Sequence, residues 1–176
     1  VYNKNLWDAY KKVNKTFSSA VIKIAKKDDI IWIHDYHLML LPKIIREKME
    51  EIPIGYFLHI PFPSFEVFNL IPWGKEIIEG LLGADLLGFH TYGYLDNFLN
   101  SVSRILGYEH SLGQITTDKR VVKVDIFPMG INYDQYKNAV KTKEVQKERE
   151  KIQKKLGQNQ KVIISIDRLD YTKGIL

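Results

Sequence analysis

Residues 30–37 read Ile-Ile-Trp-Ile-His-Asp-Tyr-His, an apolar run that passes directly into four polar side chains. A short run of branched and aromatic residues is typical of a strand that is buried on both faces of a sheet. Comparable runs occupy residues 54–59, 85–89 and 121–127, and longer segments with a different pattern separate them. Strands that alternate with helices indicate a parallel sheet covered on both faces, so the sequence predicts an α/β fold with right-handed crossovers.

The segments between these runs repeat their apolar residues every three or four positions, which is the period of an α-helix. They predict helices over residues 3–26, 37–49, 64–70, 75–82 and 91–106, and a charged helix that ends near residue 156. Ser64 and Thr91 are the expected N-caps of two of these helices, and Gly107 is the expected stop. Residues 111–119 predict a polar loop, and an apolar run at 162–166 predicts a fifth strand.

A domain boundary is predicted near residue 131. Proline and glycine at 128–130, followed by the charged helix, separate the first four strands from the run at 162–166, which has no predicted partner. We therefore assign residues 1–131 to the later part of one Rossmann-like domain. Residues 132–176 are assigned to a linker, the charged helix and the first strand and loop of a second domain. We expect the chain to be incomplete at both ends.

The composition is that of a soluble globular protein, with 176 residues, 45% hydrophobic and 27% charged. No apolar run approaches the roughly 18–20 residues of a membrane span. The chain has no cysteine, which excludes disulfides, thiolate nucleophiles and zinc–thiolate sites. The missing cysteines and the lack of a signal peptide favour a cytoplasmic protein.

The net charge of +5 is compatible with anionic partners such as phosphorylated metabolites. Much of the basic charge falls within residues 137–161, where it alternates with glutamate. That alternation is typical of a solvated helix face, because a nucleic-acid site usually has fewer acids and has aromatic residues between its cations. We therefore expect neither nucleic acid nor a membrane as a partner.

The polar run His34, Asp35, Tyr36 and His37 follows the first predicted strand, where open α/β sheets form their ligand crevice. Its imidazole and carboxylate groups could ligate a metal, cap the following turn or bind substrate. No further ligand occurs at a metal-motif spacing, so substrate binding is the preferred interpretation and no metal is expected. Asp35 is the leading candidate, because a carboxylate at this edge can accept hydrogen bonds from sugar hydroxyls.

His59 and His90 lie at the ends of the second and third predicted strands. Pro61 and Pro63 restrict the loop after His59, so they would present its ring and backbone in one geometry. A histidine that forms structural hydrogen bonds at a strand end, with no role in binding, explains His59 equally well. For His90, the simpler interpretation is that it lines the crevice beside a capping Thr91.

Arg168 and Lys173 occur in a loop after the fifth predicted strand. The planar fork of arginine and the point charge of lysine together suit a diphosphate, and Gly174 would allow the backbone to approach the phosphates. The chain has neither a Walker motif nor a G-x-G-x-x-G loop, so nucleotide binding through those loops is not supported. A surface salt bridge between Arg168 and Asp170 is the structural alternative.

Five motifs follow one another along the chain. They read IWIHDYHLMLLPKIIRE at 31–47, GYFLHIPFPSFEVF at 55–68, EGLLGADLLGFHTYGYLDNFL at 79–99, VDIFPMGI at 124–131 and SIDRLDYTKGI at 165–175. Together they resemble the trehalose-6-phosphate synthases, which are retaining glycosyltransferases of the two-domain GT-B architecture. The resemblance extends from about Trp7 to the last residue, and the combination of motifs is far more specific than any single one.

The resemblance implies that glucose is transferred from UDP-glucose to glucose 6-phosphate, which gives trehalose 6-phosphate and UDP. Asp35 matches the aspartate that binds the acceptor sugar phosphate, and His59 matches the histidine near the reacting glucose. Arg168 and Lys173 match the pair that holds the donor diphosphate. The family implies no cofactor and no bridging metal. It is compatible with an oligomer of identical subunits and with a fused phosphatase domain.

Two alternatives remain open at this point. One is a related transferase with another acceptor, such as glycerol 3-phosphate. The other is a catalytically silent module that binds sugar phosphates and regulates partners, although the intact motifs favour an active enzyme. The glycine-rich loop and the acceptor-phosphate aromatics of the family are expected before Val1, and further donor loops after Leu176. We therefore expect the isolated chain to be inactive.

Overall fold

The computed structural model describes residues 2–156, 161–170 and 173–174. The chain divides into two compact units, residues 1–129 and 130–176. The assignment of residues 1–131 and 132–176 to two particular domains of a transferase stays a prediction. Positions 171, 172 and 175 of the last motif lie outside the described residues.

Helices and strands alternate through most of the described part of the chain. The α-helices are α1 (Lys4–Ile24), α2 (Leu41–Arg46), α3 (Phe65–Phe68), α4 (Gly74–Leu81), α5 (Tyr92–Leu106), α6 (Tyr133–Ala139) and α7 (Lys143–Leu156). The strands are β1 (Ile31–His34), β2 (Ile54–Phe57), β3 (Leu86–Phe89), β4 (His110–Ser111), β5 (Gln114–Thr116) and β6 (Val121–Ile126). The predicted α/β class is confirmed.

The six strands form one sheet in the order β1-β2-β3-β6-β5-β4. Strands β1, β2, β3 and β6 are parallel, β5 pairs antiparallel with β6, and β4 pairs antiparallel with β5. All four residues of β2 are buried, because β2 has a neighbour on each side and helices cover the sheet. The four parallel strands are the ones that the apolar runs predict.

The prediction of a loop over residues 111–119 is wrong, because this segment contributes to a β-hairpin. The turn between β4 and β5 has positive φ angles at both central residues, 49° at Leu112 and 74° at Gly113. A two-residue hairpin turn of this kind matches the twist of the paired strands. Glycine adopts such angles readily, whereas leucine is rarely found there, so the sequence gives only half of the usual turn signal.

The helix predicted over residues 37–49 is divided into a 3₁₀ turn at Tyr36–Leu38 and α2. Pro42 explains the division, because it lacks an N–H donor and its ring would clash with the carbonyl four residues earlier. It is tolerated only in the first turn, where α2 places it. Thr91 caps α5 through its side chain as predicted, whereas Ser64 lies at the N-cap of α3 without a side-chain capping bond.

Helix α1 buries a face that coincides only in part with its apolar residues at three- and four-residue spacing. Leu6 and Phe17 are 69% and 49% exposed, whereas Trp7 is buried and its ring stacks on Trp73 with centroids 5.0 Å apart. Asn14 is also fully buried on this face. The large area of the Trp7 ring and the hydrogen bonds of Asn14 therefore determine which face of α1 contacts the rest of the unit.

Of two expectations for residues 130–176, one is confirmed and one is wrong. The charged helix that the sequence predicts to end near residue 156 is α7, and a shorter helix, α6, precedes it. Thr142 accepts a hydrogen bond from the Val145 amide at the start of α7 (3.4 Å). The run at 162–166 is not a strand: no described residue pairs with it, and Val162 and Ile163 are 63% and 96% exposed. A strand is defined by its partner, and apolar sequence alone does not supply one.

Two glycines of α4 and the following turn allow the backbone of α2 to lie directly against them. A Cβ atom on Gly83 would lie 2.3 Å from the amide nitrogen of Lys43 and 2.4 Å from its Cα. A Cβ atom on Gly80 would lie 2.5 Å from the carbonyl oxygen of Met39. Both distances are far below van der Waals contact, so a larger side chain at either position would displace the chain that follows β1.

We expect Gly83→Ala to destabilise the chain by about 1–3 kcal/mol or more, since the added methyl group would overlap the α2 backbone. Gly93→Ala is the matched control, because its added Cβ would have no neighbour within 4 Å and alanine favours a helix. The measurement is urea unfolding followed by circular dichroism. Equal unfolding midpoints for the two variants would contradict the close-contact interpretation.

Candidate active site

Three parallel strands end at one edge of the sheet and bring three histidines together. His34 is the last residue of β1 and pairs in register with Phe57 of β2, which pairs in turn with Gly88 of β3. His59 and His90 follow β2 and β3, at the carboxyl ends where open α/β sheets bind their ligands. The structure therefore places these predicted candidates at the expected edge.

The side chains of these histidines contact one another. Nδ1 of His34 lies 3.0 Å from Nε2 of His59, which is hydrogen-bond distance. The ring of His90 meets the ring of His59 edge to face, with centroids 5.7 Å apart. His34 and His59 are both exposed, so their polar atoms are accessible at the crevice.

Asp35 has an unusual backbone conformation, with φ 69° and ψ 169°. This region of the Ramachandran map is essentially restricted to glycine, and a residue with a side chain held there costs of order 1–3 kcal/mol. Such strain persists only where the surrounding structure imposes it, and it occurs preferentially at functional sites. Asp35 is thus singled out by its geometry as well as by its position in the motif.

Residues of β2 and of the loop that follows it hold Asp35 in this conformation. Its amide donates to the carbonyl of Phe57 (2.8 Å), and its own carbonyl accepts from the hydroxyl of Tyr56 (2.8 Å). Its carboxylate accepts from the backbone amide of His59 (3.3 Å). Burial raises the pKa of Tyr56 well above its usual value, so this phenol remains a hydrogen-bond donor.

Helix α1 holds the turn that follows Asp35. The hydroxyl of Tyr10 donates to the Tyr36 carbonyl (2.7 Å) and accepts from the Met39 amide (3.0 Å). The side-chain amide of Asn14 donates to the His37 carbonyl (3.1 Å). Burial raises the pKa of Tyr10, which keeps its hydroxyl protonated.

Tyr10, Asn14 and Tyr56 belong to the site's support and are absent from the sequence prediction. Their partners lie 21–29 residues away in the chain, so no local motif marks them. The sequence gives only a weak signal for them. Tyr10 and Asn14 are polar residues four positions apart, so they lie on one helix face and can contact the same neighbouring segment.

The second unit contains the other predicted candidates. Lys173 lies 4.0 Å from the carboxylate of Asp167, and its backbone amide donates to the carbonyl of Asp170 (3.0 Å). Gly174 has a positive φ of 61°, which glycine adopts without strain. Arg168 is exposed, as a residue that binds a ligand from solution would be. The structure thus brings Asp35 and His59 together in one unit and holds Arg168, Lys173 and Gly174 in the other.

A cavity of about 780 Å³ lies at the opposite, amino-terminal edge of the sheet and contains none of the predicted site residues. Arg46 and Arg120 line it, and both form ion pairs with Asp85, which also accepts from the Ile54 amide (2.7 Å). Lys43 of its wall is paired with Glu79 at 2.8 Å. The Asp85 ion pairs hold the starts of strands and the Lys43–Glu79 pair joins α2 to α4, so we interpret this edge as structural.

Two further findings bear on the class of protein. Among the described residues, no three histidine, aspartate or glutamate side chains are grouped so that they could hold a metal ion. Within the same part of the chain, no helix combines the length and the apolar character that a membrane span requires.

The model of glycosyltransferase family 20 matches residues 1–176, the whole of this sequence. The chain belongs to glycosyltransferase family 20. A bifunctional trehalose-6-phosphate synthase/phosphatase from Thermoproteus tenax is 50% identical over 177 residues. The predicted resemblance to the trehalose-6-phosphate synthases is confirmed.

Two solved structures of this family are similar to the chain. A UDP-forming α,α-trehalose-phosphate synthase from Burkholderia xenovorans, in complex with glucose 6-phosphate, is 30% identical with a TM-score of 0.82. An E. coli structure bound with UDP-2-fluoro glucose is 34% identical with a TM-score of 0.82. The matches cover 99% of this chain, but the chain spans only 24% of the Thermoproteus protein and 39% of each crystallised chain.

The strain at Asp35 predicts an inverted order of stability. Asp35→Gly and Asp35→Ala lose the same carboxylate, but only glycine relieves the positive φ, so we expect the glycine variant to be about 1 kcal/mol more stable. Asp125 in β6 is the control, since glycine there should be about 0.5–1 kcal/mol less stable than alanine. Chemical unfolding of the four variants decides the question; alanine more stable than glycine at position 35 would show that no strain is stored there.

Proposed function

We propose that this chain is part of a UDP-forming trehalose-phosphate synthase, which transfers glucose from UDP-glucose to glucose 6-phosphate. The observation that carries the proposal is Asp35, a carboxylate held in strained geometry at the ligand edge of a family 20 sheet. Support also comes from the relatives whose structures contain glucose 6-phosphate or a UDP-sugar. Residues 1–131 would belong to the acceptor-side domain, and 132–176 would begin the nucleotide-side domain.

Asp35 would bind the acceptor sugar phosphate. One of its carboxylate oxygens accepts the His59 amide, so the second oxygen is the one that could accept a hydrogen bond from a sugar hydroxyl. The strained backbone and its three hydrogen bonds fix where that oxygen points. Acceptor binding therefore requires little reorganisation of the protein, which favours a productive geometry.

His59 would contact the donor glucose. Its amide is held by Asp35 and its ring by the neighbouring rings, so acceptor and donor groups are bound through residues that touch each other. This coupling would place the acceptor hydroxyl beside the anomeric carbon of the donor. Proximity of that kind can supply a large share of a transfer enzyme's rate enhancement.

Arg168 and Lys173 would bind the donor diphosphate, and Gly174 would allow its phosphates to approach the backbone. Negative charge grows on the diphosphate as the bond to glucose breaks, and fixed cations stabilise that charge in the transition state. The two cations supply the positive charge needed at the leaving group, so the proposal includes no metal and no other cofactor. A bidentate fork from arginine suits paired phosphate oxygens better than a lysine would.

We also propose a cytoplasmic enzyme that assembles from identical subunits, and a phosphatase domain as a further part of the whole protein. The Thermoproteus tenax relative is named for both activities, which is the support for the fused domain. A silent regulatory module and a transferase with glycerol 3-phosphate as acceptor are the competing outcomes of the tests below.

The test of the diphosphate assignment uses a chimera in which residues 1–176 replace the matching segment of the Thermoproteus tenax protein. UDP release from UDP-glucose and glucose 6-phosphate measures the transfer. We expect Arg168→Ala to lower kcat about 10²–10³-fold, which is about 2.7–4 kcal/mol of lost transition-state stabilisation. Arg168→Lys should restore only part of the rate, because an ammonium group cannot reproduce the fork.

Asp35→Asn in the same chimera should affect substrate binding more than kcat, since it replaces one oxygen of the carboxylate that is proposed to bind glucose 6-phosphate. We expect a higher KM for glucose 6-phosphate with a smaller effect on the KM for UDP-glucose.

Turnover with glycerol 3-phosphate but not glucose 6-phosphate would favour the related transferase. Near-full turnover of Arg168→Ala in a folded chimera would remove the diphosphate assignment, and an inactive chimera that still binds sugar phosphate would favour the silent module.

Transfer by the chimera should survive treatment with a chelator. The reason is that protein cations, and no bridging metal, are proposed to stabilise the leaving diphosphate. UDP release before and after incubation with EDTA is the measurement, with the unmodified Thermoproteus protein as control. Complete loss of activity in the chimera, reversed by added Mg²⁺ or Zn²⁺, would contradict this part of the proposal.

A further inference from the structure

His34 has a contact that the proposed function does not use. Its Nδ1 atom lies 3.0 Å from Nε2 of His59, and the ring centroids are 5.2 Å apart. Two imidazole nitrogens at this distance share one hydrogen, so one ring donates and the other accepts. The contact therefore constrains the orientation of the His59 ring and couples the tautomer of His59 to that of His34.

The other neighbours of His59 do not fix the rotation of its ring. Phe57 and His90 contact the His59 ring with centroids at 4.7 and 5.7 Å, but these are ring–ring contacts that limit its tilt only. Asp35 holds the backbone amide of His59 and not its ring. The hydrogen bond between His34 and His59 is thus the directional contact that selects one rotation of the His59 ring.

His34 is itself well placed to serve as a fixed partner. It is the last residue of β1, where its backbone is paired in register with Phe57. The ring of Trp32 lies beside it, with centroids 5.9 Å apart. An imidazole on a strand is held more firmly than one on a loop, which is what a residue that orients another must provide.

We propose that His34 is a positioning residue that fixes the ring orientation and tautomer of His59. The structural part of this inference stands on the geometry of residues 30–60 alone. Its kinetic consequence rests on the proposed function, in which His59 contacts the donor glucose. With His59 Nε2 engaged by His34, the Nδ1 atom of His59 is the ring nitrogen left for a hydroxyl of the bound sugar.

The first test uses the 176-residue chain and amide chemistry that distinguishes the two imidazole nitrogens. Asparagine places its terminal amide near the position of Nδ1, whereas glutamine places it near the position of Nε2. We expect His34→Asn to keep the hydrogen bond to His59, and His34→Gln and His34→Ala to lose it. The corresponding asparagine and glutamine variants of the exposed His110 on β4 are the matched controls.

Long-range ¹H–¹⁵N NMR of the imidazole rings, at about pH 8.5, where an ordinary histidine is neutral, measures the tautomer of His59. We expect one dominant tautomer in the unsubstituted chain and the smallest departure from it in His34→Asn, whose amide can still hydrogen-bond to Nε2 of His59. In His34→Gln and His34→Ala, the ¹⁵N shifts of His59 should move toward the mixture seen for free imidazole. Unchanged shifts in all three variants, or identical behaviour of the asparagine and glutamine variants, would overturn the proposal.

The second test places the same variants in the chimera. His34→Ala and His34→Gln should lower kcat/KM for UDP-glucose about tenfold to a hundredfold, as expected when a site group loses its alignment. His34→Asn should retain most of the activity, and KM for glucose 6-phosphate should change least. Unfolding midpoints that match the unsubstituted chimera separate this effect from a loss of fold.

The two tests fail in different ways. An unsubstituted chimera without turnover would contradict the proposed function, while the NMR comparison would still decide whether His34 orients His59. Turnover that is equal in all His34 variants of an active chimera would overturn the positioning role. A matching loss in the His110 variants would do the same, because it would show that any histidine substitution lowers the activity.

Discussion

The close contact between the backbone of α2 and the two glycines near the end of α4 is the constraint on which the site depends. Helices α2 and α4 belong to the two crossovers that join β1 to β2 and β2 to β3. The absence of a Cβ atom at Gly80 and Gly83 lets residues 39–43 lie against α4 at backbone distance. The turn over residues 35–38 therefore lies between β1 and a helix, α2, that packs against α4 at backbone distance.

Polar contacts from distant parts of the chain determine the position of the Asp35 carboxylate. Helix α1 holds the turn after Asp35, strand β2 holds its backbone, and the amide of His59 holds its side chain. The energy stored in its backbone is offset by packing and hydrogen bonds elsewhere in the unit. A ligand that meets a group held in this way finds it already oriented, which is the property that the proposed transfer reaction would need.

Local patterns in the sequence predict the parallel strands and their polar ends, because an apolar run and the residue after it are adjacent in the chain. Asp35, His59 and His90 can be predicted from the sequence for this reason. The supporting contacts of Tyr10, Asn14 and Tyr56 cannot be predicted in this way, because each contact joins residues that are neighbours only in the folded state. The β4–β5 hairpin was missed because Leu112 occupies a position where turns usually have glycine or asparagine. Residues 162–166 show the reverse error, since their composition suits a strand but no described neighbour pairs with them.

The strained backbone of Asp35 also has an evolutionary consequence. In the genetic code, aspartate and glycine codons differ by one transition at the second base, so a glycine at this position is always one common mutation away. Because the backbone geometry suits glycine, the fold itself would not oppose that mutation. Under the proposed function, the aspartate is kept for its carboxylate, and a glycine at the equivalent position of a paralogue would mark one that has lost the proposed acceptor contact.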